Sequence, residues 1–392
     1  MKQRIYSFDI IRILATFAIL VFHWNIYAYH YGIHTSPILQ PDFASGTLAL
    51  PAVSLFFILS GASLMLSTRS RYSLSSYFKK RFLSIYPLYW LAYAVVFLLV
   101  YVLRHVAMDK PLATLPLSFL AMDGLLADVL PTWYLVGEWF VGCIVLLYLI
   151  FPLLRLAVRK APGLSLLEAF LFMLIWPRVY PLSFDITHFP LTRAPEMVFG
   201  MVFVEAFYPE ANARSLFVRV LSRFFGSSRL SMRIPEEKRK GVSLAEKERE
   251  ASHHPEKSIV RLPGVYICRR LVLAGVFLVV GLLPVFVPVN LPDTYLAPLM
   301  GCGLFVGLEL VFSLLLRQDR RRPLLSALSG MTYGIFLVHH IFVGEFLGKY
   351  LGSFLPQTTN FFLFLAYLAF VTFLGGLLTF LIQQILTRIR VK

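Results

Sequence analysis

Phe8-Asp-Ile-Ile-Arg-Ile-Leu-Ala-Thr-Phe-Ala-Ile-Leu-Val-Phe-His23 opens the first long apolar run of the chain, and Asp9, Arg12 and His23 interrupt it. An ionisable side chain at bilayer depth costs several kcal/mol, about 2.5–3.5 for Arg on insertion scales. Such residues therefore mark a buried partner, a water-filled cavity or a site. Eleven helical residues make just over three turns, so Arg12 and His23 share one face, about 16 Å apart along the axis. That is roughly half of a ~30 Å hydrocarbon core. Asp9 lies one turn before Arg12 and is placed to pair with it. Thr16 and Tyr27 fall on or near the same stripe. The plain alternative is a helix pinned by an Asp–Arg pair, with a satisfied core histidine. Three polar groups on one stripe favour a site.

The rest of the chain reads the same way. Of 392 residues, 58% are hydrophobic and only 15% charged, where a soluble globular chain carries about 25% charge. Mean hydropathy is +0.72. Apolar runs near 20 residues predict membrane-spanning helices, and their continuity argues against the alternating pattern of a closed barrel. Ten spans are expected, at about 8–29, 48–67, 83–103, 132–154, 164–180, 192–208, 271–288, 295–316, 324–346 and 361–386. The fold class is thus an all-α polytopic membrane protein.

Orientation comes from the connections. Lys2 and Arg4 precede the first span; Arg69, Arg71, Lys79, Lys80 and Arg81 separate the second from the third; Arg155, Arg159 and Lys160 follow the fourth. Arg317, Arg320, Arg321 and Arg322 follow the eighth, and Arg388, Arg390 and Lys392 close the chain. The alternate connections are nearly free of Lys and Arg. By the positive-inside rule both termini are cytoplasmic. The same distribution assigns the net charge of +16 to membrane-facing segments and not to nucleic-acid binding. The first run lacks a small-x-small exit and continues into Trp24, Asn25 and Tyr27, so it reads as a retained helix and not a cleavable signal.

Residues 209–270 differ. They hold Pro235-Glu-Glu-Lys-Arg-Lys240 and Glu246-Lys-Glu-Arg-Glu250 and no long apolar run. The expected organisation is a membrane domain in two parts, 1–208 and 271–392, around a basic cytoplasmic loop at 209–270. Leu216 to Phe225 is a candidate amphipathic helix on the membrane surface. The charged 236–256 stretch is expected to be dispensable for chemistry. Cys143, Cys268 and Cys302 show neither metal spacing nor a disulfide framework.

Four further stretches carry candidate residues. Ser54-Leu-Phe-Phe-Ile-Leu-Ser-Gly-Ala-Ser63 has small residues that suit close helix packing as well as a site. Lys79-Lys-Arg-Phe-Leu-Ser-Ile-Tyr-Pro87 opens the third span. Its cations are an ordinary interface anchor or, with Arg12 at similar depth, a basic pocket for a phosphorylated ligand. Pro131-Thr-Trp-Tyr-Leu-Val-Gly-Glu138 opens the fourth span and carries a carboxylate at the depth of His23. Met331-Thr-Tyr-Gly-Ile-Phe-Leu-Val-His-His340 brings two histidines to that depth. Adjacent helical residues diverge by about 100°, and no carboxylate or cysteine stands at ligand spacing, so no metal is expected. Cations at one depth and histidines at another suit an anionic donor on one side and a base on the other.

Taken in order, these motifs resemble the acyltransferase 3 family of integral membrane acyltransferases. Asp9-x-x-Arg12 with His23, the stretch Leu55 to Gly61, Arg81 to Pro87, Trp133 to Glu138, and Ser329 to His339 match its successive signatures. Ser84 stands where the basic motif has its second Arg, leaving Arg81 with Lys80. Tyr134 replaces the Ser after Trp133. The resemblance implies transfer of an acyl group, most often acetyl from acetyl-CoA, to a hydroxyl of a cell-surface or lipid-linked glycan at a bacterial plasma or inner membrane. It implies His23, Asp9 and Glu138 as catalytic residues, Arg12, Lys80 and Arg81 at the acyl-CoA donor, and Trp133, Tyr333 and His339 at the substrate. Direct transfer and an acyl-enzyme both stay open, and membrane lipid is the remaining partner. The competing reading is a transporter or flippase for a polysaccharide or glycolipid, with the buried charges serving proton coupling. A sensor built around the 209–270 loop is the third.

Overall fold

The computed structural model describes residues 4–39, 48–69, 72–179, 188–209, 215–225, 264–316 and 322–391. Among them the regular secondary structure is all helical apart from one isolated bridge between His34 and Phe354. The long elements are α1 (Tyr6–His30), α2 (Ala49–Ser67), α3 (Leu74–Phe97), α4 (Glu138–Lys160), α5 (Pro162–Val179), α6 (Pro190–Phe207), the short α7 (Leu216–Phe224), α8 (Gly264–Phe286), α9 (Asp293–Leu315), α10 (Pro323–Leu347) and α11 (Gln357–Val391). Nine of the described helices are long and apolar enough to cross a membrane. The protein is thus an all-α polytopic membrane protein. The tenth expected span is α6, a helix of span length that carries Arg193, Glu196 and Glu205.

Several boundaries differ from the sequence reading: α8 begins at Gly264, inside the stretch expected as loop, and α4 runs on to Lys160. α3 begins at Leu74, because Lys79, Lys80 and Arg81 are good helix formers that extend it backwards from its apolar part. α4 begins only at Glu138, because Gly137 before it adopts a φ of 84°, a left-handed conformation that ends the preceding extended segment. The amphipathic helix expected at Leu216 to Phe225 is α7. Its Phe225 end packs against Phe203 and Phe207 of α6 and Phe277 of α8. The 236–256 stretch lies outside the described residues.

The helices differ in how much they bury, and this sorts them. α2 is buried over 67% of its apolar window, whereas α5 and α8 are buried over 17% and so form the rim. Small residues set the closest approaches. A Cβ on Gly61 of α2 would stand 2.0 Å from the Met197 carbonyl oxygen of α6, and one on Gly200 of α6 would stand 2.0 Å from that of Ile58. Without a hydrophobic force between helices in lipid, such backbone approach is what packing relies on. At the His30 end of α1, Trp24 Nε1 donates to Asn360 Oδ1 at 2.8 Å, and Asn360 Nδ2 donates to the Ser36 carbonyl at 3.1 Å. Asn25 pairs reciprocally with the backbone of Ile38.

The segment between α3 and α4 folds over this end of the bundle. Trp133 Nε1 donates to the Pro111 carbonyl at 2.9 Å and Tyr93 Oη donates to the Trp133 carbonyl at 2.6 Å. Asp123, outside the spanning helices, accepts from Tyr89 Oη at 3.0 Å and from the Gly124 amide at 2.9 Å. Burial pushes its carboxyl up from 3.8 to about 6.

Candidate functional site

The stripe on α1 meets α10 at two levels. Near the start of α1, Asp9 gathers four donors. Arg4 donates from Nε to Oδ2 at 2.6 Å and from Nη2 to Oδ1 at 3.1 Å. Ser329 Oγ donates to Oδ1 at 2.7 Å, and Arg12 Nη1 reaches the same oxygen at 3.4 Å. Arg12 Nη1 also donates to Ser329 Oγ at 2.9 Å. The Asp9 side chain is 4% exposed and that of Arg12 27%. Asp9 is therefore the buried anchor, and Arg12 is the cation held by it with surface left for a ligand.

Ten and eleven residues further on, the same two helices meet again. His23 Nδ1 lies 2.7 Å from His339 Nε2, and His339 Nδ1 lies 2.6 Å from the Phe336 carbonyl oxygen. A carbonyl only accepts, so His339 Nδ1 carries the proton. In the neutral ring Nε2 then holds the lone pair and accepts from His23 Nδ1–H. In a neutral His23 ring the lone pair then falls on Nε2. His340 flanks the same ring, centroid to centroid at 5.2 Å, and its Nε2 lies 2.9 Å from Tyr27 Oη. Adjacent helical positions diverge His339 and His340 by about 100°, yet both rings reach His23, and the three form a close triangle with His339 and His340 6.1 Å apart. Among the described residues no group of three His, Cys, Asp or Glu is arranged to hold a metal ion.

Between the two levels lies a cavity of about 180 Å³. Its polar end is lined by Arg12, Ser60, Ser84 and Tyr148, and Tyr148 Oη donates to Ser60 Oγ at 3.3 Å. Arg81 lies with its Cζ 5.7 Å from the Tyr148 ring centre, so both expected arginines stand at this end. Thr332 and Tyr333 of α10 line the middle, and Phe56, Phe140 and Phe336 line the far end. Phe336 connects the two features: its ring faces the cavity and its carbonyl holds His339.

The structure brings His23, His339, Arg12, Arg81 and Tyr333 around one axis, with Asp9 behind Arg12. Lys80 is exposed on α3. Trp133 is 2% exposed and its indole N–H is spent on Pro111, so it braces the α3–α4 segment and does not line the cavity. Glu138 is the first residue of α4; its side chain lies outside the described set. Gly61 serves helix packing, the plainer of its two readings.

Two features escaped the sequence reading. Tyr148 gives no signal in an apolar run. Arg193 and Glu196 do: they are 2% and 0% exposed and pair at 3.0 Å, with Ser54 Oγ donating to the same Glu196 oxygen at 2.5 Å. They repeat the one-turn Arg/acid spacing of Asp9 and Arg12, and the same argument would have found them. Arg193 Cζ sits 5.5 Å from the Trp139 ring and 5.8 Å from the Phe57 ring.

Compared with known proteins, a family model described as an acyltransferase domain matches residues 5–231 and 251–380. Acyltransferase MdmB of Streptomyces mycarofaciens is 32% identical over 127 residues, which is 30% of this chain and 31% of that protein. The similarity thus spans under a third of that curated relative. No solved structure matches.

Proposed function

The chain belongs to the acyltransferase 3 family and is a membrane acyltransferase, and from that premise we propose that it moves an acyl group, acetyl first, from cytoplasmic acyl-CoA to a hydroxyl of a cell-surface or lipid-linked glycan. The observation that carries this reading is the alignment of an arginine-lined cavity with a carbonyl–His339–His23 chain along the α1–α10 seam. In this reading the basic connections face the cytoplasm, so the Arg12 end is the donor side and the His23 end the acceptor side of a bacterial inner membrane.

Arg12 and Arg81, with Lys80 at the surface, hold the donor's anionic part, since guanidinium groups suit phosphate oxygens. Asp9 keeps Arg12 in place. His23 Nε2 takes the proton of the acceptor hydroxyl as its oxygen bonds to the thioester carbonyl carbon. The carbon–sulfur bond then breaks, and the thiolate leaves with the proton returned by His23. His339 orients His23 and does not touch the substrate, much as a buried acceptor orients the base of a hydrolytic triad. Tyr333 lines the path of the acyl group. Glu138, at the start of α4, is the remaining acid–base candidate.

The test is mass spectrometry of surface glycans from cells with and without the chain, and with its His23→Ala variant. An acyl mass increment that requires His23 is expected. Glycans identical in all three strains would refute the glycan assignment; an increment that survives His23→Ala would refute the base.

A further inference from the structure

Beyond His23, toward the His30 end of α1, the α1–α10 seam continues as a row of rings. Tyr27 Oη lies 2.9 Å from His340 Nε2, and Tyr31, one turn further on, meets Tyr27 edge-on at 5.5 Å. Tyr134, from the segment before α4, stacks offset on His340 with centroids 6.3 Å apart and planes at 28°. It is the position at which the fourth motif departs from the family signature. The four side chains are half-buried, so each keeps accessible surface.

An ion pair stands at the end of the row. Arg104 Nη2 donates to Glu345 Oε2 at 2.5 Å, with the two side chains 46% and 27% exposed. An exposed pair contributes only about 0–1 kcal/mol to stability, yet the backbone is bent around this one. α3 runs into a π-helical turn, Leu98–Leu103, directly before Arg104, and His105 after it holds a left-handed φ of 53°. Both conformations are uncommon and gather at functional sites. On α10, Gly344 lets Tyr31 come close: a Cβ there would stand 2.9 Å from Tyr31 Oη, next to Glu345. Tyr31 is eight residues, about 12 Å along the axis, beyond His23.

We infer that Tyr134, His340 and Tyr31, with the Arg104–Glu345 pair, form a sugar-binding subsite that selects the acceptor. This rests on the glycan reading above. A sugar ring offers apolar C–H faces and a rim of hydroxyls. Tyr and His rings take the faces and keep a polar edge for the rim. A guanidinium only donates and a carboxylate only accepts, so neighbouring hydroxyls bond to both at once. A lipid tail at the same place would desolvate both charges without replacing their bonds. Because the pair lies about 12 Å from the base, it holds the glycan away from the reacting hydroxyl. Binding of that kind is equal in ground and transition states, so it acts on KM and not on kcat.

The test uses full-length protein in lipid nanodiscs, acetyl-CoA, and unacylated surface glycan isolated from cells lacking the chain, with thiol release as the readout. Arg104→Gln and Glu345→Gln should each raise the KM for that glycan at least about tenfold, the weight of one hydrogen bond to a charged group, with kcat and the KM for acetyl-CoA held within about twofold. Tyr134→Leu should raise the glycan KM by a smaller factor and Tyr134→Phe should keep it. The Arg104→Glu/Glu345→Arg exchange separates recognition from stapling of α3 to α10: it should keep the thermal midpoint of the parent and still show the raised glycan KM. A glycan KM unchanged in both Gln variants overturns the inference. So does a parental glycan KM in the exchange variant, which would make the pair a staple. A parent that binds acetyl-CoA but releases no thiol in the presence of the glycan refutes the glycan reading itself, and the subsite with it.

Discussion

Replacing His339 with phenylalanine removes the acceptor of His23 Nδ1–H while nearly keeping ring volume at a position that is 0% exposed. The lost bond is a short one, 2.7 Å between the nitrogens. A neutral hydrogen bond contributes about 0.5–1.5 kcal/mol net, and depriving a buried donor of its acceptor costs about 1–3 kcal/mol. Carried into the transition state, the larger range is a drop in rate of about 5- to 150-fold. The loss should fall on kcat. The KM for acetyl-CoA should hold, because Arg12 and Ser329 lie three turns away. His339→Gln is the control, since its side-chain carbonyl oxygen can stand near the place of the imidazole Nε2 and accept from His23. It should keep activity within about fivefold of the parent, its accepted bond being worth about 1 kcal/mol. The assay is acetyl-CoA-dependent thiol release by purified protein in nanodiscs, with the acceptor identified from the glycan comparison. Full kcat in the Phe variant would refute the orienting role. Equal impairment in the Gln and Phe variants would assign His339 to packing instead.

Three other outcomes follow from the geometry. Asp123 binds its proton more tightly in the folded protein, so stability should fall as pH rises from about 4 to about 6, reaching a cost near 3 kcal/mol by neutrality; thermal unfolding from pH 4 to 7 should show this slope and then level off, and Asp123→Asn should abolish it and raise the midpoint at pH 7. Arg193→Met and Glu196→Gln should each destabilise by about 3–5 kcal/mol, because each strands a buried charged or polar partner, whereas the Arg193→Met/Glu196→Met double variant should recover most of the loss; equal midpoints for single and double variants would contradict this. Gly61→Ala should lower the unfolding midpoint by the equivalent of at least about 1–3 kcal/mol, since its methyl group meets the Met197 carbonyl oxygen; an unchanged midpoint would mean that α2 and α6 can move apart freely.

The sequence by itself determined the helices and the stripe. Apolar length and a 3.6-residue period are local properties, so ten long helices and the alignment of Arg12 with His23 could be read from residues 8 to 23 and their counterparts along the chain. The ordered motifs likewise named the family before any contact was known. What periodicity cannot say is which helix a given face meets, or at what height. His23 and His339 are 316 residues apart, and only the packing of α1 on α10 makes one the hydrogen-bond partner of the other and leaves His340 to Tyr27. The same holds for Ser329 beneath Arg12 and for the cavity, whose walls come from five helices. Trp133 shows the limit from the other side: its residue type suited a substrate platform, and the folding of the α3–α4 segment buried it instead. Rotation and height are set by where backbones can approach, at Gly61 against Met197 and Gly200 against Ile58. Those contacts exist only once the bundle has formed.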